Sequence, residues 1–532
     1  MINRRAFAML ADRGHRVRIG QQFHGFADGF HSLDRNEDRH GAALFRDGYW
    51  MVRSLRHQSR GFLLCGFDGV GVSHAGNQFR FYRKGSRFLA CLSRAELGED
   101  PREISSVDFR RSRKGAVVTV QAIQDEISAD ELAFDKSPSP TRHSRPMAGI
   151  IIAPRARIFH GHEWIYATEI KKSFGNPQPG DVITLKDFRD RPLGTAIYNP
   201  QSQIVARRFS RRKQDLDLDF FTRRIGQAID HRKSSHIDET LARLVWSESD
   251  GLPGLIVDRY GDHLSIQTLT LAMDLRKEII RDALIALLNP ASIVLRNDSP
   301  YRKAEGMEPG IEMLHGENPG LFIVHANGLA FEVDLFDGQK TGLYLDQLQA
   351  HAEVAALAKG KRVLDCFTNQ GGFALACAKA GAAHVTAVDV SASACAAARK
   401  NATLNNLEIE VLEHNVFDFL KHAKPDYDMI ILDPPSFTRN KATLMDAMRG
   451  YKEIHLRSLK LLDKGGLLST FCCSYHASRE LFMDNLIDAS VDAKKSARLV
   501  MNHAQRADHP ILISIPETGY LKGFTVEVIA SR

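Results

Sequence analysis

The sequence predicts an α/β protein whose C-terminal part is an open, doubly wound and mostly parallel sheet, preceded by a small β-barrel and a small α+β module. Three observations carry this expectation. From about residue 346 apolar strand-like runs alternate with helical spacings, and three of the runs close on an acid. Between 147 and 220 short β-like runs are separated by Gly/Pro/Asn turns, and between 221 and 345 both periodicities occur.

The elements follow in order. Residues 1–146 are rich in arginine, histidine and glycine and poor in periodicity; 116–120 is one of few strand-like stretches. The segment closes on Lys136-Ser137-Pro138-Ser139-Pro140, a linker composition. It reads as a basic RNA-binding extension, as a small domain, or as a mis-annotated or disordered extension with Met147 as the true start, the last being preferred. In 147–220 the strands expected are 150–152, 182–185 and 204–209, followed by the basic run Arg207-Arg208-Phe209-Ser210-Arg211-Arg212-Lys213. That run is either a solvated linker or a phosphate-contacting strip through Arg207, Arg208 and Arg211. In 221–345, helices are expected at 221–233 and 275–288, and strands at 254–260, 292–296 and 330–335. In 346–532, strands are expected at 362–364, 384–388, 429–432 and 467–469, with helices at 373–380 and 392–405 between them.

Composition bounds the function classes. The chain has 532 residues, with 43% hydrophobic and 25% charged residues, enough for several packed domains. A net charge of +7 suits a polyanionic partner without requiring one. Seven scattered cysteines suggest neither a disulfide framework nor a zinc site and fit a reducing cytoplasm. No apolar run reaches membrane-span length, and the N-terminus lacks the apolar core of a secretory signal.

Four motifs carry chemistry. In Val363-Leu364-Asp365-Cys366-Phe367-Thr368-Asn369-Gln370-Gly371-Gly372-Phe373 a strand runs through an acid and a glycine pair into a helix. Ligands of open α/β sheets sit at such strand ends, and glycine lets backbone approach them. The pattern is neither the dinucleotide fingerprint nor a phosphate-binding loop; the bland alternative is a tight turn. Val388-Asp389 ends the next strand with an acid placed to accept from ribose hydroxyls. Asp433-Pro434-Pro435-Ser436-Phe437 forms a rigid turn able to hold a planar base, or merely a capped turn. In Thr470-Phe471-Cys472-Cys473-Ser474 a strand-end cysteine is a candidate nucleophile, though free cysteines are often buried packing residues. Together these motifs point to S-adenosylmethionine (SAM) and to methyl transfer onto a base. A cytosine C5 needs a thiolate on C6 before it can attack a methylsulfonium.

The motifs resemble the RlmI family of 23S rRNA cytosine-C5 methyltransferases over 147–532. The resemblance extends to 248–260, to 338–347, to Arg449-Gly450-Tyr451-Lys452, to Ala507-Asp508-His509-Pro510 and to Gly519-Tyr520-Leu521-Lys522-Gly523-Phe524. It implies a PUA-like RNA-binding barrel at 147–220, a central α+β domain at 221–345 and a Rossmann-like SAM methyltransferase fold at 346–532. It places the nucleophile at Cys473 and gives Asp433 a part in proton handling. Asp365, Thr368 and the Gly371-Gly372 turn would hold the methionine part of SAM, and Asp389 the ribose. Asn415 stands where the family often has an adenine-contacting Asp, and Asp433 also borders the cofactor. Pro434 and Pro435 would position the target base. Ser436 replaces a second cysteine found in many RNA cytosine-C5 enzymes, so product release needs another base or water. The implied partner is large-subunit rRNA, with no metal and no membrane; a monomer and a homodimer both remain open. An RNA guanine N-methyltransferase, which needs no cysteine, and a non-catalytic SAM-fold ribosome-assembly factor are the alternatives. A DNA or small-molecule methyltransferase would leave the first two modules without a use.

Overall fold

A computed structural model describes residues 148–336, 338, 342–438 and 441–531, together with the backbone of eight strands between 43 and 121. The other expectations for 1–147, and Gln339–Thr341 of the 338–347 motif, lie outside the described residues. The eight N-terminal strands form an antiparallel sheet in a unit ending at Thr141, and the last, Gly115–Gln121, includes the stretch read as strand from sequence. The second unit, from Arg142 onward, holds three further layers of structure.

A six-stranded sheet comes first. Its strands are β1 (Gly149–Ile152), β2 (Trp164–Ile165), β3 (Ile170–Phe174), β4 (Val182–Lys186), β5 (Pro192–Tyr198) and β6 (Ala206–Ser210), ordered β2-β6-β5-β4-β1-β3. Alternation along β4 puts Ile183 and Leu185 inside with Ile150, Ile152 and Ile165. Gly194, at φ 120°, lets β5 bend against β6: a Cβ there would stand 2.0 Å from the Ser210 carbonyl oxygen.

Helix α1 (Leu218–Ser234) opens the next module, capped by Asp217, whose side chain accepts from Phe220 N at 2.9 Å. Strands β7 (Leu241–Trp246), β8 (Leu255–Tyr260), β9 (His263–Thr268), β10 (Ser292–Asn297) and β11 (Gly310–His315) form a five-stranded sheet in that order, with β9 and β10 parallel. The short α2 (Leu271–Asp274) and α3 (Lys277–Leu288) make that parallel crossover, and α1 and α3 bury their apolar faces on the sheet. Sequence reading found α1, α3, β8 and β10 but not β7, β9 or β11.

A hairpin of β12 (Leu321–Ala326) and β13 (Leu329–Asp334) follows, its turn made by Asn327 and Gly328, both at positive φ. It packs against the last layer rather than joining the central sheet: Val324, Phe331 and Val333 lie in one core with Val363, Phe373 and Ile431. That last layer contains β14 (Arg362–Cys366), β15 (His384–Asp389), β16 (Glu410–Glu413), β17 (Met429–Leu432), β18 (Leu467–Cys472), β19 (Lys495–Ala504) and β20 (Lys522–Ser531). Their order is β16-β15-β14-β17-β18-β20-β19, parallel from β16 to β18, with β20 antiparallel to both neighbours. Helices α4 (Leu348–Ala355), α5 (Gly372–Lys379), α6 (Ala392–Leu404), α7 (Val416–His422), α8 (Leu444–Leu461) and α9 (Arg479–Asp492) cover it. With both faces covered, β14, β17 and β18 are almost continuously buried and apolar. Chain order reverses at β14, so the cleft lies at the carboxyl ends of β14, β15, β17 and β18.

Candidate active site

The carboxyl end of β14 sets up the first part of the site. Asp365 is buried, and its Oδ2 accepts from Thr368 Oγ1 at 2.7 Å and from Ala374 N at 3.0 Å. Its Oδ1 is buried with no hydrogen-bond partner. Burial pushes this carboxyl up to about 7, the nearby Asp389 adds to the rise, and the two hydrogen bonds oppose it. The loop that follows has Phe367 at φ 64°, Asn369 at φ 50° and Gly371 at φ 90°. Two non-glycine residues in the left-handed region are backbone strain of the kind concentrated at ligand sites. Gly372 has no room for a side chain, since a Cβ would stand 2.5 Å from His351 Cε1. Burial in turn lowers that imidazole to about 4, so it packs beneath the turn as a neutral ring, edge-on to Phe373.

Asp389 ends β15 and ties the cleft loop to the next helix: Oδ2 accepts from Asn369 N and Oδ1 from Ser391 N, both at 2.9 Å. Its half-exposed carboxylate keeps lone pairs for hydroxyl donors. Asn415 caps α7, its side-chain oxygen accepting from Phe417 N at 2.9 Å and Asp418 N at 3.3 Å. Its side-chain amide nitrogen is the group left to meet a ligand.

Asp433 follows β17, and its Oδ1 accepts from Gln347 Nε2 at 2.9 Å. Gln347 is buried and its Oε1 has no hydrogen-bond partner, which makes it a second orphaned acceptor in this layer. Pro434 is buried and Pro435 exposed. Beside the turn opens a cavity of about 600 Å³, lined in part by Phe417, Ser436, Phe437 and Gly450.

The two cysteines after β18 divide the roles considered for them. Cys472 is fully buried among Leu432, Tyr451 and Phe524, whereas Cys473 is half-exposed just past the strand end. Asp365, Asp389, Asp433 and Cys473 therefore stand at one edge of one sheet. Three residues that sequence reading did not single out join them: Gln347, His351 and Lys522. Gln347 and Lys522 fall within motifs that carried the resemblance, but only three-dimensional packing shows what they touch.

The basic run requires a correction. Arg207 and Arg208 are not an exposed strip. Arg207 pairs with Glu248 at 2.7 Å and lies over the Trp164 ring, and Arg208 is buried against Glu163 and the Leu193 carbonyl. On β6 they point to opposite faces, and both faces are covered. Arg211, with a side chain 75% exposed, is followed by the exposed Arg212 and Lys213 and is what remains for a polyanion.

The fold and the cleft define a SAM-dependent methyltransferase. A family model for S-adenosylmethionine-dependent methyltransferases matches residues 295–508, and one for PUA-like domains matches 154–211. A SAM-dependent methyltransferase structure from Streptococcus mutans superposes with TM-score 0.62 at 24% identity, over 72% of this chain and 100% of that one. Among curated proteins, "Ribosomal RNA large subunit methyltransferase I" of Shewanella frigidimarina is 39% identical over 378 residues, 69% of this chain and 95% of the relative. The protein of that name from Tolumonas auensis is 39% identical over 70% of this chain and 96% of its own length. The chain belongs to the ribosomal RNA large subunit methyltransferase I family. The cleft fits SAM: the buried, unpartnered Asp365 Oδ1 suits an ammonium group, and the absent side chain at Gly372 leaves backbone open to a ligand.

Proposed function

We propose that this protein methylates C5 of a cytosine in 23S rRNA, with Cys473 as nucleophile. The half-exposed thiol at the end of β18, on the same sheet edge as three strand-end carboxylates, carries this reading. The names of the curated relatives support the RNA class, and a cytoplasmic setting follows from it.

Asp365, with Thr368 fixing its rotamer and Gly371-Gly372 keeping the backbone close, would hold the methionine end of SAM. Asp389 would hold the ribose, and Asn415 the adenine through its amide. Bound SAM supplies an electrophilic methyl group. The target base must leave its stack to enter the cleft, at a cost of about a few kcal/mol. Pro434 and Pro435 would wall it, and Arg211 would meet RNA phosphate. The Cys473 thiolate would add to C6, and the electron pair this places on C5 would take the methyl as the donor's S–CH3 bond breaks to leave a neutral thioether. A base then removes the C5 proton, and the C6–S bond breaks to expel the thiolate and restore the ring. Asp433, oriented by Gln347, follows the strand paired with β18 and is the candidate for moving that proton.

The test compares rRNA nucleosides, by mass spectrometry, from a strain lacking the gene and from its parent. One 5-methylcytidine should vanish, return with the wild-type gene, and stay absent with Cys473→Ala. Loss of a methylguanosine instead would leave the fold intact and remove the role given to Cys473. An unchanged set of modified nucleosides would refute an active rRNA methyltransferase.

A further inference from the structure

The loop that follows Cys473 is held by a buried lysine. Lys522 lies at the start of β20, directly opposite Cys472 in the antiparallel pairing of β18 with β20, so both side chains share a face. It is only 5% exposed. Its Nζ donates to the Ser474 carbonyl at 2.7 Å and the Ala477 carbonyl at 2.5 Å, bracketing the turn between Cys473 and α9. Burying an ammonium is costly, and a purely structural clamp on two carbonyls could be made by a neutral donor. The ammonium therefore lies between the strand position of Cys472 and the carbonyl of Ser474, the two neighbours of Cys473 in the chain. Cys472 sits in the apolar core, so the cysteine that stands to gain from that cation is Cys473.

We infer that Lys522 is a positioning residue for the nucleophile: it fixes the Cys473–Ala477 turn and supplies the buried positive charge that favours the Cys473 thiolate. The inference rests on the reading of Cys473 as nucleophile. Other groups face the same thiol. Tyr451 from α8, Asp433 after β17 and the Cys472 thiol interact with it or with each other there, and Arg479 and Glu480 of α9 flank Lys522. Tyr451, whose phenol is pushed up by burial and by the neighbouring Cys472, Cys473 and Asp433, stays neutral. Lys522 thus places its ammonium on the carbonyl of Ser474, the residue after Cys473, and opposite Cys472, the residue before it. Burial lowers Lys522 itself and thiolates at Cys472 or Cys473 would raise it, so lysine and thiolate stabilise one another as a pair.

The experiment follows alkylation of Cys473 by iodoacetamide, read by peptide mass spectrometry across pH 6–10, in the full-length protein and in Lys522→Met, Lys522→Gln and Lys522→Arg. SAM binding is measured alongside. A partly buried cation beside a thiol shifts its midpoint by about one pH unit or more. The Met and Gln variants should therefore move the alkylation midpoint up by about that much. Methyl transfer at pH 7 should fall roughly tenfold and recover in part at pH 9, while Lys522→Arg stays near the parent. Unchanged midpoints in both neutral variants would overturn the inference. If the neutral variants no longer bind SAM, Lys522→Arg decides: a midpoint close to the parent, with its changed hydrogen-bond geometry, supports the charge, and a raised midpoint refutes it. Because alkylation needs no RNA, an active Cys473→Ala protein would sink the nucleophile reading separately from the lysine's effect on the thiol.

Discussion

Asp365 offers the sharpest link between burial and cofactor binding. In the cofactor-free protein its carboxyl is raised to about 7 from an ordinary 3.8. At pH 6 about nine-tenths of it is therefore protonated, and at pH 7 about half. The α-amino group of SAM, with an ordinary value of about 7.7–8.0, is already an ammonium at pH 6. Placing that cation against Asp365 Oδ1 drives the carboxyl to ionise, so binding should release close to one proton at pH 6. Titration calorimetry in two buffers of different ionisation enthalpy measures this directly. The apparent binding enthalpy should differ between buffers at pH 6, and Asp365→Asn should abolish the difference while weakening binding. Stability gives the companion test. A carboxyl raised in the fold contributes fully below its unfolded value near 3.8, and that contribution is lost as pH rises through about 7. About three pH units correspond to about 4 kcal/mol. Without SAM, Asp365→Asn should thus gain stability over the parent between pH 5 and pH 8 in urea unfolding. A buffer-independent binding enthalpy at pH 6, together with no such gain, would refute the reasoning.

Three more expectations follow from buried groups. Arg232, fully buried, donates to Asp250, to the carbonyls of Ala228 and Arg243, and to Asp508 O at 2.7 Å; Arg232→Ala should cost about 3–5 kcal/mol in urea unfolding. Burial lowers both His351 and His455 to about 4. Their contribution is present above about 6.5 and lost as pH falls through 4, about 3 kcal/mol each, so a His351→Gln/His455→Gln protein should show a flatter unfolding midpoint between pH 6.5 and 4 than the parent. Gly372→Val, which drives a side chain into His351, should reduce SAM affinity at least tenfold by calorimetry with the PUA-like barrel still folded by circular dichroism.

The last sheet was the most legible part of the chain, because strands covered on both faces read as apolar runs and their acids mark the cleft end. Four of its strands and two of its helices fall within a few residues of expectation. The central module was harder to read: β7, β9 and β11 are as long as β8 and β10, but polar or charged residues such as Arg243, Ser265, Gln267 and Glu312 interrupt their apolar pattern. The hairpin β12–β13 was half seen, and its place against α6 depends on Asn401 and Asn405, whose side chains accept from Glu332 N and Ala330 N. Arg207 and Arg208 misled because a run of basic letters does not reveal the carboxylates of Glu163 and Glu248, one before and one well after it in sequence. Gln347 and Lys522 lay inside recognised motifs, yet their partners, Asp433 and the Ser474 carbonyl, lie 86 and 48 residues away.

The central module and the methyltransferase layer do not meet as two surfaces. Leu241, Tyr260 and Val294 of the former share one apolar core with Val363, Phe373 and Phe471 of the latter. Arg506 donates to the Leu241 carbonyl at 2.9 Å across the join, and Asn199 of the barrel reaches Glu305 at 2.8 Å on the other side. On the proposed function, a chain built this way works as a fixed caliper, with the exposed basic end of the barrel meeting RNA phosphate and Cys473 meeting the target base. The same reading leaves to the RNA whatever bending brings the target base into the cleft. Cutting the caliper at residue 345 would expose apolar surface on both pieces and leave neither half an independent tool.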